Sequence, residues 1–136
     1  MTKLILSTPL LMGFLTGTIV EANTVNSLST IHCQMVEFKD GESIQNEFSI
    51  ESDESNPHGQ MYFFKSNVFA GVNGFVSLMS RAGKKFVVFN LYSESLQVGT
   101  SSQHQISETS QHVQHQMILP STSIQLSGIT ITCLAN

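Results

Sequence analysis

The feature that most constrains the fold is an apolar stretch in the middle of the chain, residues 67–93. In its first half, apolar residues recur at every second position, which on a β-strand places them on one face. Its second half, residues 86–92, is apolar at odd and even positions alike, as in a strand buried on both faces. Between them, Gly83 can adopt the positive φ that a three-residue hairpin loop requires. The stretch therefore predicts a central hairpin of two long strands with a turn at residues 81–84.

The flanking segments repeat the period-two pattern in shorter pieces separated by polar turns. We predict strands at residues 28–38, 43–51, 60–65, around 96–98, 111–119 and 122–134. Asp40-Gly41 is a strong hairpin signal. In the last segment the apolar positions change parity between Leu126 and Ile129, so we expect a β-bulge at Ser127-Gly128. The whole indicates an all-β antiparallel domain of about eight strands, either a β-sandwich or a small closed barrel.

The N-terminus has the layout of a secretory signal peptide. Lys3 precedes a mostly apolar run, and Val20 and Ala22 occupy the −3 and −1 positions of a cut after Ala22. Residues 1–22 are therefore predicted to be removed, leaving residues 23–136 as one antiparallel β domain. An uncleaved anchor or a buried helix is the alternative, although Ser, Thr, Gly and Pro interrupt the run. The signal resembles bacterial ones, so we expect a secreted or periplasmic protein with no membrane span after processing.

The two cysteines, Cys33 and Cys133, lie near the two ends of the predicted domain. In an oxidising compartment an even pair predicts one disulfide, here joining the first strand to the last. Two buried thiols, or a bond between chains, are the alternatives. A cysteine metal site is disfavoured because the spacing carries no ligand pattern.

Composition and motifs exclude several classes of function. Charged residues are 12% of the chain and the net charge is −4, with no basic stripe that would indicate nucleic-acid binding. The sequence contains no Gly-x-Ser-x-Gly, no His-Glu-x-x-His and no phosphate-binding loop. We therefore predict no catalytic residue and no cofactor, and a hydrolase is the least favoured reading.

Three histidines, His104, His112 and His115, form a candidate metal site. If residues 103–106 and 111–117 pair as a hairpin, His104 comes near one of the other two, and imidazoles so placed bind Zn²⁺ or Cu²⁺. On a single strand, however, His112 and His115 point to opposite faces. Solvated surface histidines are the alternative.

Charged residues supply two weaker candidates. An acidic loop offers several oxygens for Ca²⁺ but lacks the ligand order of an EF-hand, so a solvated loop is the simpler interpretation. Its residues are Glu51, Asp53, Glu54 and Asn56. The central turn carries Arg81, Lys84 and Lys85, which we interpret as a charged turn rather than an anion site.

The aromatic residues are concentrated between positions 62 and 92. A domain of this size needs such bulk for its core, but both faces of the central strands are apolar. One face can therefore pack the core while the other lines a ligand cavity or an interface. The candidate ligand or interface residues are Tyr62, Phe64, Phe69, Phe75, Phe89 and Tyr92.

Together these patterns predict an exported, non-catalytic β-domain for protein interaction or assembly, with self-association through the central hairpin as one mode. The alternative is a small carrier of an apolar, lipid-like ligand with a barrel cavity. A protein partner or a second copy is favoured over a small apolar ligand.

Overall fold

The computed structural model describes residues 30–52, 55–56, 59–107, 109 and 111–135. The predicted signal peptide, the first two residues of the predicted first strand, and Asp53 and Glu54 of the acidic loop lie outside the described residues. The described part contains eight β-strands. They are β1 (Thr30–Lys39), β2 (Glu42–Glu51), β3 (Gln60–Lys65), β4 (Val72–Arg81), β5 (Lys84–Ser93), β6 (Val98–Ile106), β7 (His112–Leu119) and β8 (Ser127–Ala135). Within the same residues, no helix is long and apolar enough to cross a membrane.

The strands form two four-stranded antiparallel sheets, with the orders β2-β1-β8-β7 and β3-β4-β5-β6. We call them the first and second sheet. Strands that are consecutive in the chain pair within each sheet: β1 with β2, each of β3 to β6 with the next, and β7 with β8. In addition, β8 pairs with β1. The all-β antiparallel prediction is confirmed, and of the two predicted architectures the structure is a β-sandwich. The sheets meet along two seams, one between β2 and β3 and the other between β6 and β7.

The first strand of the central hairpin begins later than the sequence predicted, and the turn is one residue shorter. Arg81 pairs with Lys84, which leaves a two-residue loop, Ala82-Gly83, with φ of 51° and 76°. Two consecutive positive φ values are those of a type I′ turn, so the prediction of a three-residue loop was wrong. The strand begins at Val72 because the Ser66 hydroxyl accepts hydrogen bonds from the Val68 and Phe69 amides, at 3.0 and 2.7 Å, and folds this segment into a turn.

The predicted Asp-Gly hairpin is confirmed. Asp40 and Gly41 have φ of 54° and 88° and connect β1 to β2. The predicted bulge at Ser127-Gly128 was wrong, because β8 begins at Ser127 and Gly128 pairs regularly with Phe38. The parity change is accommodated outside the strand, in the exposed loop between β7 and β8 that carries Ile124 and Leu126.

The core lies between the sheets and is built from their inward-facing positions. Its buried residues are Ile31, Cys33, Met35, Ile50, Phe64, Val72, Val76, Leu78, Val87, Phe89, Leu91, Ile106, Val113, Met117, Leu119, Ile129, Ile131, Cys133 and Ala135. The predicted disulfide is present within this core, where Cys33 and Cys133 face each other across β1 and β8. It joins the first strand to the last, as the sequence predicted.

Candidate functional site

The outer side of the second sheet is an apolar surface. On β4, Val76 and Leu78 point into the core, so the alternate residues point outward. The register places Phe63 opposite Phe75, and their rings contact at a centroid distance of 5.8 Å. We call this surface the apolar face. Its members are Met61, Phe63, Phe75, Met79, Phe86, Val88 and Tyr92.

The apolar face is a packed layer rather than a set of isolated side chains. Ser77 points outward from β4, yet it is only 1% exposed. Its cross-strand partners are Met61 on β3 and Val88 on β5, and the larger outward side chains of β4 flank it. Phe63, near the edge of the sheet, remains 69% exposed. A contiguous apolar patch with one prominent aromatic ring is typical of a protein-binding surface.

The charged side chains on the strands of this sheet are all cationic, whereas the exposed Glu94 follows β5 in the turn after Ser93. Strands β3 to β6 contain no acidic residue, whereas Lys65 stands at one end of the face and Arg81 and Lys84 stand at the other. Lys85, beside them, donates a hydrogen bond to the Ser80 hydroxyl at 3.1 Å.

The first sheet has the opposite character. Its strands carry acidic residues on β1 and β2, namely Glu37, Glu42, Glu47 and Glu51, against the single cation Lys39. Its outer side is mostly polar and forms a shallow surface pocket of about 370 Å³ over β2, β1 and β8. In this pocket His32 Nδ1 lies 2.7 Å from the Ser49 hydroxyl. The two outer sides of the sandwich therefore differ in both polarity and charge.

The aromatic candidates from the sequence are divided among three environments. Phe64 and Phe89 are core residues, and Phe69 packs against the core. Tyr62 belongs to the β2–β3 seam, where its ring stacks on Phe48 at a centroid distance of 3.9 Å. Only Phe75 and Tyr92 lie on the apolar face.

Sequence reasoning did not select several residues of the apolar face. They are Met61, Phe63, Met79, Phe86 and Val88. The alternation along β3 could have indicated Phe63, since a strand that sends Phe64 into the core must send Phe63 outward. The pairing of β3 with β4 brings Phe63 next to Phe75. This pairing could not be predicted from the sequence of either strand alone.

The structure brings two of the three candidate histidines together. Strands β6 and β7 do not pair as a hairpin, because they are the edge strands of different sheets. They meet through side chains: His115 Nδ1 lies 2.8 Å from the Ser102 hydroxyl, His115 Nε2 lies 2.9 Å from the Thr100 hydroxyl, and His104 Nε2 lies 3.1 Å from the Ser102 hydroxyl. We call Thr100, Ser102, His104 and His115 the histidine seam.

The ring of Phe89 lies against both imidazoles of this seam. His115 stacks on it at 5.6 Å with an interplanar angle of 9°, and His104 meets its edge at 5.9 Å. Burial lowers the pKa of His115, a hydrogen bond with the Thr100 backbone partly opposes this, and the neighbouring charge of His104 lowers the pKa further. The imidazole of His115 is therefore neutral near pH 7.

His112, the third candidate, is exposed on β7 opposite Leu134, and its side chain points to the other face of the strand from His115. Among the described residues, no group of three or more His, Cys, Asp or Glu side chains is arranged to hold a metal ion. Any metal bound at the histidine seam would therefore have two protein imidazoles and no third ligand of these types.

The part of the acidic loop that the structure describes is engaged in local turns. The Asn56 side-chain amide donates to the Gly59 carbonyl at 3.0 Å, and the Gly59 amide donates to the Asn56 carbonyl at 2.8 Å. The Glu51 backbone amide donates to the Gln60 side chain at 3.3 Å, which ties β2 to β3. These contacts give Glu51 and Asn56 roles in the chain connection.

The sequence analysis did not select Glu37, an acidic residue that is buried in the structure. Glu37 is fully buried, and its Oε1 accepts a hydrogen bond from the Asn67 amide at 3.3 Å while its Oε2 has no hydrogen-bond partner. Glu37 follows Cys33 and Met35 at every second position of β1, so the alternation predicts that its side chain points inward. Burial of a carboxyl group with one unsatisfied oxygen is unfavourable, so we expect Glu37 to lower the free energy of unfolding.

The space between the sheets is closely packed at Gly74. A methyl group added there would contact the Asn90 carbonyl and would lie 3.0 Å from the Phe64 ring. The apolar-ligand carrier inferred from the sequence remains a prediction. No protein-family model, curated protein or solved structure matches the chain.

Proposed function

We propose that this protein is an exported, non-catalytic binding domain that docks another protein on its apolar face. The observation that carries the proposal is the combination of a packed apolar surface with strands whose charged side chains are all cationic. The partner surface would be apolar at its centre and acidic at its ends. Burial of Phe63 and its neighbours would supply affinity, while Lys65 and Arg81 would orient the partner and speed its association.

The charge pattern favours a different protein over a second copy of this chain. If two apolar faces packed against each other, the cations of one copy would meet those of the other in either orientation, because Lys65, Arg81 and Lys84 all border the face. Like charges brought together at an interface oppose association. The acidic residues on the described strands all lie on the first sheet, whose polar outer side offers no matching apolar centre. Self-association is therefore an outcome that the tests must distinguish.

Export is supported by two independent features. The N-terminal pattern predicts cleavage after Ala22, and the Cys33–Cys133 disulfide is of the kind that persists in oxidising compartments. Purification of the processed protein from the producing cells, followed by N-terminal sequencing, tests this part. A first residue of Asn23 is expected, and an intact Met1 in the functional protein would contradict export by this route.

The chemistry of the apolar face is tested with 1-anilinonaphthalene-8-sulfonate, an apolar anion whose fluorescence rises on an apolar surface. We expect the dye to bind the wild type and to lose most of its enhancement with Phe63→Ser. The matched control is Leu134→Ser, because Leu134 is also exposed and outward-facing but lies on the first sheet. Equal fluorescence from the wild type and Phe63→Ser would contradict the proposal.

The partner itself is sought by capture from the exported fraction of the host, comparing the same three proteins. We expect one protein to be retained by the wild type and Leu134→Ser, lost with Phe63→Ser, and released by raised salt. Sedimentation velocity of the isolated chain should give a monomer. A dimer that Phe63→Ser dissociates would identify a second copy as the occupant and overturn the choice of an acidic partner.

A further inference from the structure

We propose that the histidine seam binds a divalent transition-metal ion, Cu²⁺ or Zn²⁺, between His104 Nε2 and His115 Nδ1. The inference is independent of the proposed docking on the apolar face, which lies on the other side of the second sheet. It differs from the three-histidine site predicted from the sequence, because His112 takes no part.

The two nitrogens converge on one point. Both face the Ser102 hydroxyl oxygen, His115 Nδ1 from 2.8 Å and His104 Nε2 from 3.1 Å. Imidazole nitrogens bind Zn²⁺ at about 2.0–2.1 Å. An ion that takes the position of the Ser102 hydroxyl oxygen requires each ring to approach by roughly 1 Å. The Ser102 side chain would rotate aside, and its hydroxyl or water would complete the coordination.

The surroundings orient the ligands as outer contacts do in established metal sites. His115 Nε2 contacts the Thr100 hydroxyl at 2.9 Å, which leaves Nδ1 to face His104. A hydrogen bond at the second ring nitrogen fixes the tautomer and the ring direction of a metal-binding histidine. Stacking on the buried Phe89 ring restrains the imidazole plane further.

The donor set selects the class of metal. Two imidazoles and a hydroxyl, with no carboxylate among the described neighbours, suit Cu²⁺ and Zn²⁺ and do not suit Ca²⁺ or Mg²⁺. Cu²⁺ should bind more tightly than Zn²⁺, following the general order of divalent affinities. Because β6 and β7 share no ladder of backbone hydrogen bonds, the ion would join the two sheets where only side chains now connect them.

The experiment measures binding and stability in the wild type and three variants of the disulfide-bonded protein, freed of metal with chelator. Cu²⁺ is titrated calorimetrically and its electron paramagnetic resonance spectrum is recorded. We expect the wild type and His112→Gln to bind one Cu²⁺ at this site with the nitrogen couplings of two imidazoles. His104→Gln should bind at least tenfold more weakly and lose one coupling. Ser102→Ala should bind within threefold of the wild type, since both imidazoles remain.

Zn²⁺ supplies a second readout through thermal unfolding. At about 100 times Kd, it should raise the midpoint of the wild type and of His112→Gln by roughly 5 °C or more. At the same Zn²⁺ concentration, the midpoint of His104→Gln should rise by no more than about half as much, because its affinity is at least tenfold lower. His104→Gln keeps both hydrogen bonds of His115, so this variant is expected to fold even where His115→Gln does not. Equal affinities in the wild type and His104→Gln, or a loss in His112→Gln as large as that in His104→Gln, would overturn the proposal.

Discussion

Cys33 on β1 and Cys133 on β8 are directly opposite one another, with their Cα atoms 4.1 Å apart and their sulfurs bonded. The bond spans 100 residues of sequence while joining neighbouring strands. The first and last strands are thereby held side by side at the centre of the first sheet. A crosslink of this length acts mainly on the unfolded chain, because it removes conformations that a free chain could adopt.

Removal of the disulfide should greatly destabilise the protein. The double variant Cys33→Ala/Cys133→Ala is expected to lose about 4–5 kcal/mol of unfolding free energy, the chain-entropy value for a loop of about 100 residues. Urea titration of the oxidised wild type and the double variant measures the difference. Two free thiols in the native wild type, found by thiol titration under denaturing conditions, would contradict the bond itself.

The stability of the fold should decrease in acid through His115. Its pKa in the folded protein is lowered by burial, so the unfolded chain binds a proton more readily than the folded one. Above the unfolded-state pKa both forms are neutral and the residue contributes no pH dependence. As pH falls through about 6.5 towards the lowered folded-state pKa, the unfolded chain gains protons first and stability is lost.

This pH dependence is measured by urea unfolding between pH 7.5 and pH 5 in chelator. His115→Gln should show a smaller loss of stability over this range than the wild type. His112→Gln is the control, because His112 is exposed and away from the seam. Among the described residues, the titratable neighbour whose charge lowers the pKa of His115 is His104. Identical slopes for the wild type and His115→Gln would show that burial of this imidazole has no energetic consequence.

The other seam depends on an aromatic pair. Phe48 of β2 and Tyr62 of β3 stack with nearly parallel rings, at an interplanar angle of 5°. A double-mutant cycle with Phe48→Leu and Tyr62→Leu should give a coupling of about 0.5–1.5 kcal/mol, since leucine keeps apolar bulk but removes the ring contact. Additive losses in urea unfolding would mean that the rings do not stabilise each other.

Two glycines should respond differently to alanine. Gly83 has φ of 76° and no atom within 4 Å of an added methyl group, so Gly83→Ala should cost only about 1–2 kcal/mol of backbone strain. Gly74 faces the Asn90 carbonyl and the Phe64 ring, so Gly74→Ala should cost about 3 kcal/mol or more through overpacking. Urea unfolding of both variants decides the order, and a larger loss for Gly83→Ala would contradict this reading of the core.

Replacement of Glu37 by glutamine should stabilise the protein. In Glu37→Gln the side-chain carbonyl still accepts from the Asn67 amide, while the buried carboxyl group, whose Oε2 has no hydrogen-bond partner, becomes a neutral amide. The free energy of unfolding at pH 7 should rise by about 1 kcal/mol or more. Glu42→Gln, at an exposed position, is the control and should change it by about 0.5 kcal/mol or less. A loss of stability with Glu37→Gln alone would show that the carboxylate charge has a stabilising partner.

Local signals determined the elements of this fold well. A short aromatic run after a loop placed β3 at residues 60–65, as observed, and Asp40-Gly41 marked a hairpin because few other dipeptides adopt two positive φ values. Alternation grouped Val113, His115, Met117 and Leu119 on one face of β7, and that face is the inward one. Errors arose where the apolar pattern was used without the turn-forming residues beside it. Val68 was assigned to a strand, although the Ser66 hydroxyl accepts its amide hydrogen bond and the chain turns there.

The chain alone determined its strands, its hairpin positions and the pairing of its only two cysteines, because each depends on a few consecutive residues or on a count. Tertiary structure decided which edges meet. Phe48 contacts Tyr62, and His104 approaches His115, only because two sheets close on each other, and that closure depends on all eight strands at once. It also decided which side of the second sheet is covered. The core covers one apolar side of β4 and β5, and the other side faces outward.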